Sequence, residues 1–298
     1  MNYKKLKGIT TAVITPFDEK GKVNFDILRK HINYLIKNGV DALYPLGTTG
    51  EFPLLSIEER KKIAEVVVEE NKGRLPIVIQ VGDDNISVVE NLIKHAKSIG
   101  ADGVAVVTPY YYNFLDDEVF NLYDYLAKKF SDFPIYLYNI PQITSVPISK
   151  TVVKKLLLKH KNIWGIKDSS GDFSKFLDFI KLREEFLDFL VLNGTDKYIL
   201  SAYQLKADGI VSGFSNCFPK LFHEFSQYFI VNDEKKYMES YRKILQICDI
   251  LQNGAILDFI KGVCIIKGKN VGKVRFPLKS LSLEEERKLE KDLNCISI

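Results

Sequence analysis

Short β-rich runs alternate with longer amphipathic segments along most of this 298-residue chain. Segments of helical period separate the β-rich runs, and Ser56 and Glu59 have the spacing of a capping box at the start of one helix. This order of strand and helix predicts parallel strands joined by right-handed crossovers. The candidate strands are Ile9–Thr15, Ala42–Pro45, Ile77–Val81, Gly103–Thr108, Ile135–Tyr138, Ile163–Lys167, Phe189–Leu192 and Gly209–Val211.

Two α/β folds are compatible with this alternation, a closed (β/α)8 barrel and an open doubly wound sheet. The strand–helix units fit within the first 225 residues, which is close to the roughly 250 residues of a typical barrel. An open sheet would normally have a glycine-rich nucleotide loop after its first strand, and the stretch 10–17 contains no glycine. We therefore predict an α/β fold, a (β/α)8 TIM barrel over residues 1–225.

After Phe218 only helical patterns follow, and no linker rich in Pro, Ser or Gly precedes them. We predict that residues 226–298 form a C-terminal helical extension that packs on the barrel and contributes to an oligomer surface. Its candidate helices are His223–Val231, Glu234–Gln252, Ala255–Ile266 and Leu283–Leu293.

Composition and charge exclude several classes of function. The formal net charge is only +4, and the basic residues are scattered beside acidic ones, so nucleic acid is not an expected partner. The four cysteines and four histidines lack the spacing of a metal or redox site, so no metal is expected. The N-terminus lacks the apolar core of a signal peptide, and no apolar run approaches the ~20 residues that cross a bilayer. We expect a cytoplasmic protein without membrane contact.

In such barrels the active site forms at the C-terminal ends of the strands. The sixth candidate strand ends in Lys167, whose ammonium group would lose solvation among apolar neighbours, which favours the neutral amine that attacks a carbonyl to form a Schiff base. The fifth ends in Tyr138, whose phenol could carry a proton to a substrate oxygen. Taken alone, each residue also fits a structural role, a lysine that follows a strand or a tyrosine that fills the core.

The second candidate strand leads into Gly47-Thr48-Thr49-Gly50-Glu51. Two glycines around two threonines predict a tight turn whose backbone N–H groups and hydroxyls can surround a carboxylate.

Taken together, these motifs resemble the class I pyruvate-dependent aldolase/lyase family, which includes dihydrodipicolinate synthase, N-acetylneuraminate lyase and 2-keto-3-deoxygluconate aldolase. The resemblance covers nearly the whole chain and implies a homotetramer, a dimer of dimers. The blocks that carry it are Thr15-Pro16-Phe17, Gly47–Glu51, Tyr138–Pro141, Gly165–Asp168 and Arg275–Leu278, the last resembling the family's Arg-Pro-Pro-Leu segment.

The resemblance also implies roles for individual residues. Lys167 matches the Schiff-base lysine and Tyr138 the proton-relay tyrosine, while Thr48 and Thr49 match the turn that binds the pyruvate carboxylate, with the Thr48 hydroxyl on the tyrosine. The same turn contributes Gly50, and Gly194 and Val211 match positions that line the pyruvyl pocket. Lys167 would attack C2 of a 2-keto acid, and the resulting iminium would draw electrons from the breaking C3–C4 bond. This chemistry needs no metal or organic cofactor.

The second substrate separates the members of the family. Dihydrodipicolinate synthase carries an arginine where this chain has Ile143, and isoleucine cannot hydrogen-bond a carboxylate, which counts against that activity. N-acetylneuraminate lyase has an Asp-Glu pair where this chain has Asp196-Lys197, which weakens that alternative without excluding it.

Archaeal-type 2-keto-3-deoxygluconate aldolases resemble the chain best at these points, since they carry the Pro-Tyr-Tyr-Tyr block seen at 109–112 and lack the arginine. We therefore predict reversible cleavage of 2-keto-3-deoxygluconate to pyruvate and glyceraldehyde, with the 6-phosphate left open as a substrate. A dehydratase that uses the same imine and a non-catalytic keto-acid binder are further alternatives. The candidate partners of the sugar hydroxyls and the aldehyde are Tyr111, Thr144, Asp168, Ser169 and Asp196.

Overall fold

A computed structural model describes residues 3–251 and 256–296 of the chain. Its strands are β1 (Gly8–Ala12), β2 (Ala42–Tyr44), β3 (Val78–Gln80), β4 (Gly103–Val107), β5 (Ile135–Asn139), β6 (Ile163–Asp168), β7 (Leu190–Asn193) and β8 (Gly209–Ser212). Its α-helices are α1 (Phe25–Lys37), α2 (Ile57–Asn71), α3 (Ile86–Ser98), α4 (Asp116–Lys129), α5 (Pro141–Thr144), α6 (Lys150–Lys159), α7 (Phe173–Leu182), α8 (Ile199–Gln204), α9 (Pro219–Ile230), α10 (Glu234–Leu251), α11 (Ile256–Ile266) and α12 (Leu283–Asn294).

The strands are parallel and alternate with helices, as the sequence predicts. β1 pairs with β2, and β3 to β8 lie side by side in chain order. The fold is a (β/α)8 TIM barrel followed by the C-terminal helices α9 to α12, so the predicted fold class is confirmed.

The chain divides into two compact units. One contains residues 3–7 and 76–211, and we call it the lysine unit because it contains Lys167. The other contains residues 8–75 and the described residues from 212 onward, and we call it the turn unit because it contains the Gly47–Gly50 turn. The predicted division between residues 225 and 226 stays a prediction, and both of those residues lie within helix α9.

The core of the lysine unit is built around strands that are buried on both faces. Every residue of β4 and β5 is buried, which is typical of parallel strands covered on both sides. Tyr136 fills part of this core, and its hydroxyl accepts a hydrogen bond from the Leu6 backbone N–H at 3.3 Å. A Cβ at Gly165 would lie 2.7 Å from the Leu190 carbonyl oxygen and 3.0 Å from the Tyr136 ring. Glycine is therefore required where β6 passes Tyr136.

In the turn unit, local capping and one buried asparagine organise the elements. The predicted capping box at Ser56 and Glu59 is confirmed at the start of α2. The Asn216 side chain accepts a hydrogen bond from the Ile14 N–H at 3.2 Å and donates one to the Ala12 carbonyl at 2.7 Å. His31 on α1 contacts the same Asn216 oxygen at 2.9 Å. The segment after β8 is thereby joined to β1 and α1.

Most strand boundaries lie within one residue of the predicted ones. The first strand is Gly8–Ala12, whereas the apolar run predicted Ile9–Thr15, because the chain leaves the strand ladder while it is still apolar. Helix α9 begins at Pro219, four residues before the predicted start. Two predicted helix ends, Gln252 and Ala255, lie outside the described residues.

Among the described helices, none has the length and apolar character needed to span a membrane.

Candidate active site

Lys167 lies at the C-terminal end of β6 and is 4% exposed. Its Cα is in register with Tyr138 on β5 and with Leu192 on β7. The lysine side chain is therefore flanked by two neighbouring strands, at the barrel end where active sites of this fold form.

A one-residue irregularity in the β5–β6 ladder brings Lys167 and Tyr138 opposite each other. Ile135 pairs with Ile163, but Tyr136 already pairs with Gly165, so Trp164 is the extra residue. A shift of one residue moves side chains to the opposite face of a sheet. Without this extra residue Tyr138 would face the position of Ile166, and the two candidate catalytic side chains would not meet.

The Lys167 Nζ lies 4.0 Å from the centre of the Tyr138 ring, and Tyr138 is 1% exposed. At this distance the ring face can interact favourably with the cationic iminium that a Schiff base on this lysine would form. A neutral lysine in this position is a nucleophile toward carbonyl carbon, and the neighbouring phenol is a proton donor or acceptor. The pair has the composition needed for Schiff-base chemistry.

Asp168 follows Lys167 and organises the strand ends through its side chain. Its carboxylate accepts hydrogen bonds from the Asn139 amide at 2.7 Å and from the Ser170 N–H and hydroxyl at 3.2 and 3.0 Å. Burial raises the pKa of Asp168, although the bonds from Asn139 and Ser170 act in the opposite direction. The side-chain oxygen of Asn139 (Oδ1) in turn accepts a hydrogen bond from the Ile148 N–H at 2.9 Å. This network connects β6 to β5 and to the loop after β5.

Gly194, after β7, lies in close contact with Ser169, after β6. A Cβ at Gly194 would clash with the Ser169 Oγ, and the Gly194 N–H donates to the Asp168 carbonyl at 2.7 Å. Asp196 is half-buried in the following 3₁₀ turn, and Val211 is buried on β8. These residues lie in the lysine unit with Lys167.

Thr144 and Tyr111, two further candidate site residues, differ in their exposure. Thr144 is 2% exposed, and its hydroxyl accepts from the Thr108 hydroxyl at 2.9 Å and contacts the Val146 carbonyl at 3.2 Å. The Thr144 hydroxyl is therefore hydrogen-bonded inside the fold. Tyr111 is 78% exposed in the loop after β4 and packs edge to face against Tyr112.

The Gly47–Gly50 turn after β2 has the tight geometry that the glycines predict. Thr48–Gly50 form a single 3₁₀ turn in which the Gly50 N–H donates to the Gly47 carbonyl at 3.0 Å. A Cβ at Gly50 would lie 3.0 Å from the Val13 carbonyl oxygen, and the Gly50 carbonyl accepts from the Thr15 hydroxyl at 2.7 Å. Thr48 and Thr49 are half-buried at this turn.

Sequence reasoning missed a buried ion pair at the end of this turn. Glu51, the last residue of the motif, forms an ion pair of 2.6 Å with Lys261 of α11, and both side chains are almost completely buried. The available signal was a single lysine within the apolar stretch 256–266. Burial lowers the pKa of Lys261, and the neighbouring Glu51 carboxylate opposes that shift. Within the described part of the chain, no group of three or more His, Cys, Asp or Glu side chains could hold a metal ion.

Comparison with known proteins identifies the family. The model of the dihydrodipicolinate synthetase family matches residues 5–296. The chain belongs to the dihydrodipicolinate synthetase family. It is accordingly an enzyme, a carbon–carbon lyase of the pyruvate-dependent aldolase type.

Individual members of the dihydrodipicolinate synthetase family match over most of the chain. An uncharacterized DapA-like lyase of Pyrococcus horikoshii is 37% identical, covering 82% of this chain and 84% of its own. The 4-hydroxy-tetrahydrodipicolinate synthase 1 of Halalkalibacterium halodurans is 33% identical, covering 96% of both chains. The structure of YagE, a prophage protein of this family from E. coli K12 solved in complex with pyruvate, has a TM-score of 0.93 at 28% identity and covers 97% of this chain and 98% of its own.

Proposed function

We propose that this lyase cleaves 2-keto-3-deoxygluconate reversibly to pyruvate and glyceraldehyde through a Schiff base on Lys167. The observation that carries the proposal is the buried Lys167 Nζ, 4.0 Å from the Tyr138 ring at the C-terminal strand ends. The pyruvate half is supported by the pyruvate bound in the similar structure of YagE.

In the proposed reaction, neutral Lys167 attacks C2 of the keto acid, and loss of water gives an iminium. Tyr138 accepts the proton of the C4 hydroxyl as the C3–C4 bond breaks, which releases glyceraldehyde and leaves an enamine on the lysine. Protonation of the enamine at C3 and hydrolysis then return pyruvate and the free amine. Thr48 and Thr49 bind the substrate carboxylate in this reaction, as the family motif predicts.

The choice of aldehyde rests on the short helix α5, which follows β5. Ile143 lies on α5 with 57% of its surface exposed, and it stands where the family resemblance expects an arginine in enzymes that use aspartate semialdehyde. An apolar side chain there offers no partner to a second carboxylate. Ser169 and Asp196 are the proposed partners of the hydroxyl groups of the substrate.

The relatives favour one alternative substrate. The relative from Halalkalibacterium halodurans is a 4-hydroxy-tetrahydrodipicolinate synthase. Condensation of pyruvate with aspartate semialdehyde is therefore the second candidate function. Purified protein should be assayed with pyruvate and each aldehyde in turn, including glyceraldehyde, its 3-phosphate, aspartate semialdehyde and N-acetylmannosamine. A preference for either of the last two would overturn the proposed substrate, and product analysis by NMR would reveal a dehydratase.

Trapping with borohydride tests the chemistry itself. Wild-type protein incubated with pyruvate and reduced should gain one pyruvyl group on Lys167, located by peptide mass spectrometry. Lys167→Ala should lose the adduct and the turnover while keeping its circular dichroism spectrum. A folded wild-type protein that gains no adduct in excess pyruvate would contradict the Schiff base.

The proposal includes a cytoplasmic homotetramer, the assembly that the family resemblance implies. Light scattering should therefore give a mass of four 34.1 kDa chains. A monomer at micromolar concentration would contradict this part without affecting the Schiff base.

A further inference from the structure

The Gly47–Gly50 turn is held between two residues in a disfavoured backbone conformation. Leu46 has a φ of 63° and Glu51 a φ of 57°, both in the left-handed region. Residues with a Cβ remain in that region only where the surrounding structure holds them there. The contacts of Glu51 therefore bear on the conformation of the turn.

Both oxygens of the Glu51 carboxylate are engaged. Oε1 lies 2.6 Å from the Lys261 Nζ, and Oε2 accepts a hydrogen bond from the Arg275 backbone N–H at 2.8 Å. Glu51 is 2% exposed and Lys261 is 1% exposed. The carboxylate is thus fixed at two points, on α11 and on the segment that leads to α12.

These two anchors are themselves firmly placed. The Lys261 Nζ also donates to the Lys273 carbonyl at 3.0 Å and lies 4.2 Å from the centre of the Phe17 ring. The Arg275 guanidinium forms two hydrogen bonds with the Glu59 carboxylate, at 2.7 and 2.8 Å, and lies 4.5 Å from the same Phe17 ring. Arg275 also donates to the Leu54 carbonyl at 2.8 Å. The whole arrangement lies within the turn unit.

A buried ion pair is poorly explained by stability alone. Removing two charges from water costs about as much as their attraction returns, and an apolar pair of similar size is often at least as stable. A buried carboxylate that is fixed by two contacts does, however, restrict the backbone conformation of the residue to which it belongs. The N–H groups and hydroxyls of a carboxylate-binding turn require such a defined conformation.

We propose that Glu51, Lys261 and Arg275 are positioning residues that hold the Gly47–Gly50 turn in the conformation that binds the keto-acid carboxylate. This inference rests on the proposed function, which assigns that carboxylate to Thr48 and Thr49. It gives the C-terminal helices an indirect part in substrate binding, since α11 supplies the lysine that would fix the turn.

The test compares pyruvate with methyl pyruvate, the neutral ester that lacks the carboxylate charge. Borohydride trapping on Lys167 is measured against the concentration of each compound, which gives a half-saturation value and a maximal trapping rate for both. Lys261→Met keeps the length of the side chain and removes the ammonium group. We expect it to reduce the preference for pyruvate over methyl pyruvate at least tenfold, while the maximal rate with methyl pyruvate changes less than threefold.

Two further variants separate positioning from stability. Arg183→Met breaks a partly buried ion pair with Asp208 at 3.4 Å, in the other unit, so it should lower stability without changing the preference for pyruvate. Glu51→Gln keeps an oxygen for the Arg275 N–H and removes the charge, so it should reduce the preference less than Lys261→Met does. If Lys261→Met fails to fold, Glu51→Gln decides the question.

The outcomes are distinguishable from failure of the proposed function. Folded Lys261→Met and Glu51→Gln proteins with the wild-type preference would overturn the positioning proposal alone. A wild-type protein that forms no adduct on Lys167 would refute the Schiff base. An adduct that forms equally well with pyruvate and methyl pyruvate in the wild type would remove the carboxylate from the turn, and the positioning proposal with it.

Discussion

Replacing Gly165 by alanine should test how closely the barrel core controls the position of Lys167. The added Cβ would lie 2.7 Å from the Leu190 carbonyl oxygen, 3.0 Å from the Leu190 Cβ and 3.0 Å from the Tyr136 ring. Two of these contacts are with β7, and Tyr136 is fully buried on β5, so the clash is relieved only if β6 moves relative to its neighbours.

The expected cost follows from the kind of atoms that clash. Overpacking a well-packed core typically costs 1–3 kcal/mol, and contact with a backbone oxygen places Gly165→Ala at the upper end, about 3 kcal/mol. For a chain of this size that corresponds to a fall in Tm of roughly 6 °C. Because Lys167 lies two residues further along the same strand, on the same face, its trapping by pyruvate at a fixed low concentration should also slow.

Urea unfolding and borohydride trapping measure these two effects. Gly213→Ala is the matched control for stability only, because its Cβ would also lie 3.5 Å from the Thr49 hydroxyl oxygen. That Cβ would first meet the end of the Ile260 side chain at 3.3 Å, so the substitution should cost less than about 1 kcal/mol. A Gly165→Ala protein as stable as wild type would refute the reasoning, since β6 would then have room to move that the contacts deny. Equal loss in both variants would show that the glycines matter for backbone entropy rather than for space.

Two further predictions concern titratable side chains. Burial raises the pKa of Asp258 to about 6, so the folded protein holds this proton more tightly than the unfolded chain, and stability should fall as the pH rises from about 4 to 6. Asp258→Asn should therefore be more stable than wild type at pH 8 by about 2 kcal/mol and lose most of this advantage at pH 4; equal urea midpoints at pH 8 would contradict this. Cys295 is exposed, whereas Cys217, Cys248 and Cys264 are buried, so a thiol reagent should modify one cysteine of the native protein rapidly and all four only after unfolding. Rapid reaction of any thiol in folded Cys295→Ser would contradict that burial.

Local sequence patterns determined the class of fold and the two residues proposed to carry the reaction. The alternation of β-rich runs with helical segments requires parallel strands, and parallel strands place all their C-terminal ends at one end of the barrel. Lys167 and Tyr138 could therefore be assigned to the same region from their positions at the ends of consecutive strands. The capping box at Ser56 and the tight turn at Gly47–Gly50 are equally local, since they depend on residues three or four positions apart.

The tertiary structure decided what depends on residues distant in the chain. The extra residue Trp164, which brings Lys167 opposite Tyr138, is defined only by the pairing of β6 with β5. Exposure also could not be inferred from type, since Thr144 is buried and Tyr111 lies at the surface. Glu51 and Arg275 are 224 positions apart, and their contact exists only because folding brings the C-terminal segment to the turn after β2. Periodicity reports which face of an element is buried, but it carries no information about which distant element covers that face.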